Sequence, residues 1–275
     1  VSQTAVLEPV RPVAKPSAWS TQKVRWVRHW TDGLFSFAID RPEDFRFRSG
    51  EFVMIGLPSD SPSTKPVLRA YSIASPSWSD ELEFFSIAVP DGPLTARLVH
   101  IKAGDEVLLG KKPTGTLVLD ALKSGRNLYL IGTGTGLAPW LSVARDPEVY
   151  QRFDSIIITH TVRRVADLAY RDFLSGRFFD DPLVGDEAKV QLTYYPTVTR
   201  EDFPTKGRIT DLIRTGQIFR DLGLSEGFDP ACDRVMLCGS TDMIKETASL
   251  LDAYGLVEGS NVEPGDYVLE RAFVG

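Results

Sequence analysis

Three stretches of this 275-residue chain combine side chains and spacings that suit phosphate binding and stacking on a flat ring. The first is Gly132-Thr133-Gly134-Thr135-Gly136, between an apolar strand and a helix that starts near Pro139. Glycines there let the backbone approach a phosphate, and the following helix N-terminus favours the negative charge. Leu137 stands where the standard dinucleotide fingerprint has its third glycine. A tight turn without a ligand is the plain alternative, but three glycines and two threonines in five residues exceed what a turn needs. The second stretch follows the strand Ile156–His160 and reads Thr161-Val162-Arg163-Arg164. Domains that bind NAD usually place an acid there for the adenine-ribose hydroxyls. Arginine instead suits a 2′-phosphate, because a guanidinium pairs bidentately with phosphate oxygens. Arg200 and Arg208 follow the next strand within one loop region. Each alone reads as solvated surface charge; together, at the ends of neighbouring strands, they point to NADP(H). The third stretch, Arg69-Ala70-Tyr71-Ser72, offers a charge for a pyrophosphate, an aromatic face for a flavin ring and a hydroxyl for its edge. A cross-strand tyrosine beside an exposed arginine explains it as well.

The elements that must position these residues fall into two textures. Before residue 120, short strand candidates at Val24–His29, Leu34–Ile39, Glu51–Leu57, Ala70–Ala74, Leu82–Val89 and Glu106–Leu109 alternate with turn signals such as Thr31-Asp32-Gly33 and Pro90-Asp91-Gly92-Pro93. Closely spaced short strands predict a closed antiparallel barrel. One helix is expected at Leu94–His100, opened by Gly92-Pro93-Leu94-Thr95. Phe85, about seven residues before that opening, could stack on a flavin or adenine or sit in the core.

After Lys123-Ser124-Gly125 strands alternate with helices: strands at Asn127–Ile131, Ser155–His160, Val190–Tyr195 and Arg234–Cys238, and helices at Ala166–Leu174 and Thr241–Tyr254, the last ended by Gly255. That alternation predicts a parallel sheet covered on both faces. The chain therefore divides into a tail at 1–18 with prolines at 9, 12 and 16, a barrel domain at 19–123 and an α/β domain at 124–275.

Composition narrows the function classes. The 275 residues carry a net charge of −6, with 15 basic against 14 acidic residues up to position 125 and 16 against 23 beyond it. Neither half is basic enough for a nucleic-acid interface. No apolar run approaches a membrane span, and the N-terminus lacks the layout of a signal peptide, so a cytoplasmic location is expected. Cys232 and Cys238, with His29, His100 and His160, show no metal-ligand spacing, so no metal site and no iron–sulfur centre are expected.

The order of the motifs resembles the ferredoxin–NADP⁺ reductase superfamily, and within it the bacterial ferredoxin/flavodoxin–NADP⁺ reductases. The matching pieces are Arg-Ala-Tyr-Ser at 69–72, Glu-Phe-Phe at 83–85, Val-Pro-Asp-Gly-Pro-Leu-Thr at 89–95, Gly-Thr-Gly-Thr-Gly-Leu-Ala-Pro at 132–139, Val-Arg at 162–163, Thr-Arg-Glu at 199–201, Gly-Arg-Ile-Thr at 207–210, Leu-Cys-Gly-Ser at 237–240 and the terminal Ala-Phe-Val-Gly at 272–275, which looks like the proteobacterial subgroup. Members often carry tyrosine at this position; Phe85, without the phenol oxygen, gives up one hydrogen bond to FAD but keeps the stacking face.

The resemblance implies a fold of two domains, an N-terminal antiparallel β-barrel that binds FAD and a C-terminal α/β parallel sheet that binds NADP(H). It implies that Arg69, Ala70, Tyr71, Ser72, Phe85, Pro93, Leu94, Thr95 and Thr135 line FAD, with Ala272 and Phe273 covering it. Arg163, Arg200 and Arg208 would hold the 2′-phosphate, and Gly134, Cys238 and Gly239 would approach the nicotinamide, with Tyr71, Ser72, Cys238 and Ala272 nearest the reacting atoms. The implied activity is ferredoxin or flavodoxin–NADP⁺ reduction by a monomer whose docking face includes Arg25, Arg28, Arg46, Arg48, Lys111 and Lys112. A free flavin or quinone reductase and an oxygenase reductase component are the alternative readings; two cysteines argue against the [2Fe–2S] module that the latter usually carries.

Overall fold

The computed structural model describes residues 18–59 and 65–271. The first sheet has six antiparallel strands: β1 (Trp19–Thr31), β2 (Leu34–Asp40), β3 (Phe52–Gly56), β4 (Leu68–Ser72), β5 (Glu81–Ile87) and β6 (Glu106–Gly110), in the order β4-β3-β6-β1-β2-β5. Strand β1 is about twice as long as the expected Val24–His29 because it serves two partners. Trp19–Lys23 pair with β6, and Val24–Thr31 pair with β2. A register shift between Val24 and Trp26 marks the change of partner, and such a bulge bends the strand and sharpens its twist. The sheet curls until its edges meet: Ile73 bridges Phe84, and Ala74 N–H donates to Glu83 C=O at 2.8 Å. The result is the expected barrel, filled by Phe35, Phe37, Val53, Ile55, Ile73, Leu82 and Phe84.

The second sheet is parallel, in the order β11-β10-β7-β8-β9, from β7 (Asn127–Thr133), β8 (Ser155–Val162), β9 (Leu192–Val198), β10 (Asp233–Gly239) and β11 (Tyr267–Arg271). Ile156 and Ile158 face the helices at 138–143, 147–152 and 185–191, whereas Ile157 faces those at 209–214, 217–221 and 241–253. Burial on both faces explains the unbroken Ile156-Ile157-Ile158 run. Ser240 caps the last helix by accepting from Met243 N–H, and Gly255 follows it at φ +86° as the sequence predicts.

Three local expectations are corrected, and one strand is added. The helix at Leu94–His100 shrinks to Thr95–Leu98, because His100 and Ile101 donate three residues back in tighter turns. The helix at Ala166–Leu174 is broken by Tyr170, whose φ of +62° is left-handed, into a 3₁₀ turn at Val165–Asp167 and an α-helical turn at Arg171–Leu174. The strand at Val190–Tyr195 starts at Leu192, since the helix Gly185–Gln191 runs on and leaves Val190 exposed. Strand β11 was not foreseen.

The two sheets meet over a buried polar cluster. Tyr170 donates to Glu83 Oε1 at 2.6 Å and is bonded to Ser36, with Trp30 Nε1 donating to the same serine at 2.8 Å. Arg145 donates to Ala74 C=O at 2.7 Å and lies 4.0 Å from Glu83. Burial raises the Glu83 carboxyl and lowers the Arg145 guanidinium, each opposed by its partners across this interface.

Candidate active site

Strands β7 and β10 are the central pair at which the chain order reverses, and open parallel sheets bind ligands at the carboxyl ends of such a pair. Strand β7 runs into Gly134–Leu137, a single 3₁₀ turn, and then into the helix Ala138–Val143 with Pro139 in its first turn. Each glycine there has its own reason. Gly134 is left-handed at φ +55°, and a Cβ on it would meet nothing within 4 Å, so its outer side is open. A Cβ on Gly136 would lie 2.3 Å from the Cys238 carbonyl oxygen, so the turn rests directly on β10. Thr133 Oγ1 fastens the neighbouring loop by accepting from Ser240 N–H at 3.1 Å, close against Gly239.

The arginines converge as the sequence predicts. Arg163, Arg200 and Arg208 line one cavity of about 450 Å³ with Thr199, Gly207 and Asp211. The loops after β8 and β9 are laced together: Thr199 N–H donates to Val162 C=O and Arg200 N–H to Arg163 C=O, both at 3.0 Å. Gly207 N–H donates back to Val198 C=O at 3.1 Å, which brings Arg208 alongside. Asp211 bonds Arg214 at 2.7 Å, and none of the three arginines is ion-paired with a described residue. Three exposed guanidinium groups around one cavity fit a phosphate.

On the barrel side, β4 alternates. Tyr71 turns inward, its ring edge-on to Phe37 and Phe84 and its hydroxyl 3.2 Å from Ser86 Oγ; burial raises its pKa. Ala70 is exposed, and Arg69 is half-buried and donates to Leu68 C=O at 3.0 Å, which leaves other N–H groups for a ligand. The Ser72 hydroxyl lies close enough to the Cys238 thiol to lower it against burial, so the end of the barrel strand comes near the end of β10. Thr95 Oγ1 holds Val89 at 3.3 Å, Leu94 is buried in the barrel core and Pro93 is exposed. Thr135 is buried in the glycine turn. Phe85 is not brought together with Tyr71: it stands on the opposite face of β5 from Ser86, edge-on to Tyr170 in the core between the sheets. Ala272 and Phe273 lie outside the described residues.

The structure adds a residue that sequence reasoning missed. Glu270 on β11 is the in-register neighbour of Cys238. Its carboxylate accepts from the Thr116 N–H and hydroxyl, and a Cβ on Gly115 would lie 2.6 Å from Oε1. Burial raises the Glu270 carboxyl to about 7, against these hydrogen bonds and with help from the Glu51 charge. Cys238 is itself buried, and burial first, then the Glu270 charge, push its thiol well up. A thiol held in that form is no nucleophile, which favours positioning over covalent chemistry. Among the expected docking residues, Arg25 is paired with Asp40 at 2.7 Å and Arg48 with Glu51 at 3.0 Å. Arg28 lies 3.7 Å over the Trp30 ring, and Lys111 and Lys112 are exposed.

No family model matches the chain. The chain is 53% identical over 254 residues to a flavodoxin/ferredoxin–NADP reductase of Rhodobacter capsulatus, covering 92% of this chain and 93% of that one. It is 52% identical over 255 residues to a ferredoxin–NADP reductase of Pseudomonas aeruginosa, covering 92% and 97%. Its fold is similar to a ferredoxin NADP⁺ reductase from Neisseria gonorrhoeae with bound FAD and NADP, at a TM-score of 0.84 and 32% identity over 94% of this chain and 100% of that one.

Proposed function

The chain belongs to the ferredoxin/flavodoxin–NADP reductase family, and from that premise we propose that it is an FAD-dependent enzyme that exchanges hydride with NADP(H) and single electrons with a ferredoxin or flavodoxin. When bound, FAD supplies the conversion between a two-electron hydride and one-electron carriers. The observation that carries this reading is the convergence of Arg163, Arg200 and Arg208 on one cavity at the ends of the parallel strands, with Ser72, at the end of a barrel strand, close to Cys238, at the end of a central parallel strand. A flavin held by the barrel and a nicotinamide held by the parallel sheet would meet beside that pair.

The protein's share is binding and orientation. Arg69 would neutralise the FAD pyrophosphate, and Tyr71 with Ser72 would bound the ring. Arg163, Arg200 and Arg208 would anchor the 2′-phosphate, and the open side of Gly134 would admit the nicotinamide half. The Cys238 thiol would pack beside the reacting carbon as a neutral group. Glu270 would keep a protonatable carboxyl one strand away, neutral in part at physiological pH. An acidic carrier would dock on the barrel through Arg28, Lys111 and Lys112, whose charge is not paired with a described carboxylate. A monomeric, cytoplasmic enzyme accords with this reading; no described helix is long and apolar enough to cross a membrane.

The test uses the purified protein. NADPH should bleach its flavin absorption far faster than NADH, and ferredoxin or flavodoxin should accelerate cytochrome c reduction. Equal bleaching by the two nucleotides, or cytochrome c reduction indifferent to both carriers, overturns the assignment. Reduction of added free flavin at the faster rate would point to the flavin-reductase alternative.

A further inference from the structure

His160 is fully buried in β8, between Gly132 on β7 and Pro196 on β9. Both ring nitrogens are engaged. Nε2 lies 3.2 Å from the carbonyl oxygen of Gly134, and Nδ1 lies 3.1 Å from the hydroxyl of Tyr194 on β9. A carbonyl oxygen only accepts, so Nε2 must carry the proton. The ring is neutral, because burial holds it down to about 4, so Nδ1 is the bare nitrogen and accepts from the Tyr194 hydroxyl. The direction of the whole chain is thereby fixed: Tyr194 O–H to His160 Nδ1, and His160 Nε2–H to Gly134 C=O.

This chain crosses the three strands that lead to the nucleotide cavity. Strand β7 ends in the Gly134 turn, β8 in Arg163, and β9 in the loops of Arg200 and Arg208. Gly134 is the link with freedom to move. It is left-handed, and no neighbour stands within 4 Å of where its Cβ would be, so packing on its outer side does not set the orientation of its peptide. The imidazole sets it from the inner side.

We propose that His160 is a positioning residue for the dinucleotide: its Nε2–H fixes the Gly134 peptide so that the turn is pre-shaped for the pyrophosphate and nicotinamide end of NADP(H). The proposal rests on the NADP(H) reading above. It separates the two ends of the ligand, since the arginine cavity is held by its own backbone bonds between Val162, Arg163, Thr199 and Arg200.

The experiment measures binding of NADP⁺ and of 2′,5′-ADP, which fills the arginine cavity alone, to the FAD-loaded protein by calorimetry. H160L should weaken NADP⁺ by about tenfold, the size of one lost hydrogen bond, while 2′,5′-ADP stays within about twofold. H160Q, whose amide N–H reaches the same carbonyl, should recover most of the loss. The KM for NADPH should follow the same order, with the flavin absorption spectrum unchanged. Unchanged NADP⁺ affinity in H160L, or equal losses for the two ligands, overturns the proposal. Should H160L fail to fold, ¹⁵N resonances of His160 in the unaltered protein decide it. A proton on Nε2 and a shift on adding NADP⁺ but not 2′,5′-ADP support it; a proton on Nδ1, or no NADP⁺-specific shift, sinks it. An unaltered protein that binds neither ligand refutes the NADP(H) reading itself, a result distinct from all of these.

Discussion

Cys238 and Glu270 are in-register partners across the parallel pair β10–β11, so a thiol that the sequence marks and a carboxyl that it does not mark share one end of the sheet. Burial, helped by the Glu51 charge, makes the carboxyl costly to ionise. Glu270 titrates at about 7 in the folded protein, raised from 4.5, with burial as the main cause.

The sign of the resulting pH dependence is fixed by which state holds the proton. Between pH 4.5 and about 7 the folded protein keeps a proton on Glu270 that the unfolded chain gives up. Its contribution to stability is therefore complete below about 4.5, falls as pH rises towards 7 and is level above that. The amount is on the order of 3 kcal/mol. Glu270→Gln removes the titration but keeps an oxygen for the Thr116 N–H. Denaturant titrations should show E270Q gaining on the native sequence as pH is raised from about 5 to about 8. A constant difference between the two proteins over that range would remove Glu270 from the account.

The arginine cavity makes a selectivity prediction. Arg163, Arg200 and Arg208 line it together, and charge-assisted hydrogen bonds to a phosphate are worth roughly 1.5–3 kcal/mol each. Replacing Arg200 by leucine should raise the KM for NADPH by about 10- to 100-fold, with the NADH reaction altered by less than about twofold. Steady-state rates with both nucleotides check this. A parallel loss with NADH would place Arg200 outside the 2′-phosphate site.

The interface between the sheets carries a stability prediction. Buried Tyr170 and the largely covered Glu83 and Arg145 lie together, with Tyr170 Oη 2.6 Å from Glu83 Oε1 and Arg145 4.0 Å from Glu83 Oε2. Glu83→Ala leaves the largely covered Arg145 beside no carboxylate, which costs about 3–5 kcal/mol. Glu83→Gln, which still accepts from Tyr170, should cost less. Urea unfolding followed by flavin release should show the order native, E83Q, E83A; equal midpoints would mean the cluster contributes nothing.

What the sequence discloses follows from how local each signal is. The strands of the barrel are legible because turn residues bracket them, and Ile156–Ile158 because a strand buried on both faces leaves an apolar run. The arginine cluster is legible because positions just past strand ends converge in any parallel sheet. The helices at 147–152, 185–191, 209–214 and 217–221 are too short to display a helical period, and the reading passes over them. The break at Tyr170 is unreadable for another reason: its left-handed backbone is held by Glu83 and Ser36 from the other sheet, contacts more than 80 residues away in sequence. Glu270 is one of 37 acidic residues, and only its register with Cys238 separates it from the rest. Phe85 shows the converse. Its type suits a flavin wall, and only the pleat of β5 reveals that it faces Tyr170 rather than Tyr71.

The glycine turn allows a sharp test, because its members differ in what surrounds them. At Gly136 a Cβ would meet the Cys238 carbonyl oxygen at 2.3 Å, its carbon at 2.6 Å and the Gly239 Cα at 3.0 Å. All three are backbone atoms at the end of β10, so no side chain can rotate away, and the turn and the strand must separate. Gly136→Ala should therefore cost about 1–3 kcal/mol of stability through overpacking. Its larger effect should be on hydride transfer, because the same displacement moves Cys238 and Gly239 relative to Gly134. A shift of about 1 Å in a reacting geometry lowers a rate by roughly 100-fold. Stopped-flow reduction of the flavin by saturating NADPH should fall accordingly in G136A, while binding of 2′,5′-ADP, which depends on the distant arginines, should be unchanged. A native reduction rate in G136A would show that the turn can lift off β10 without disturbing the site.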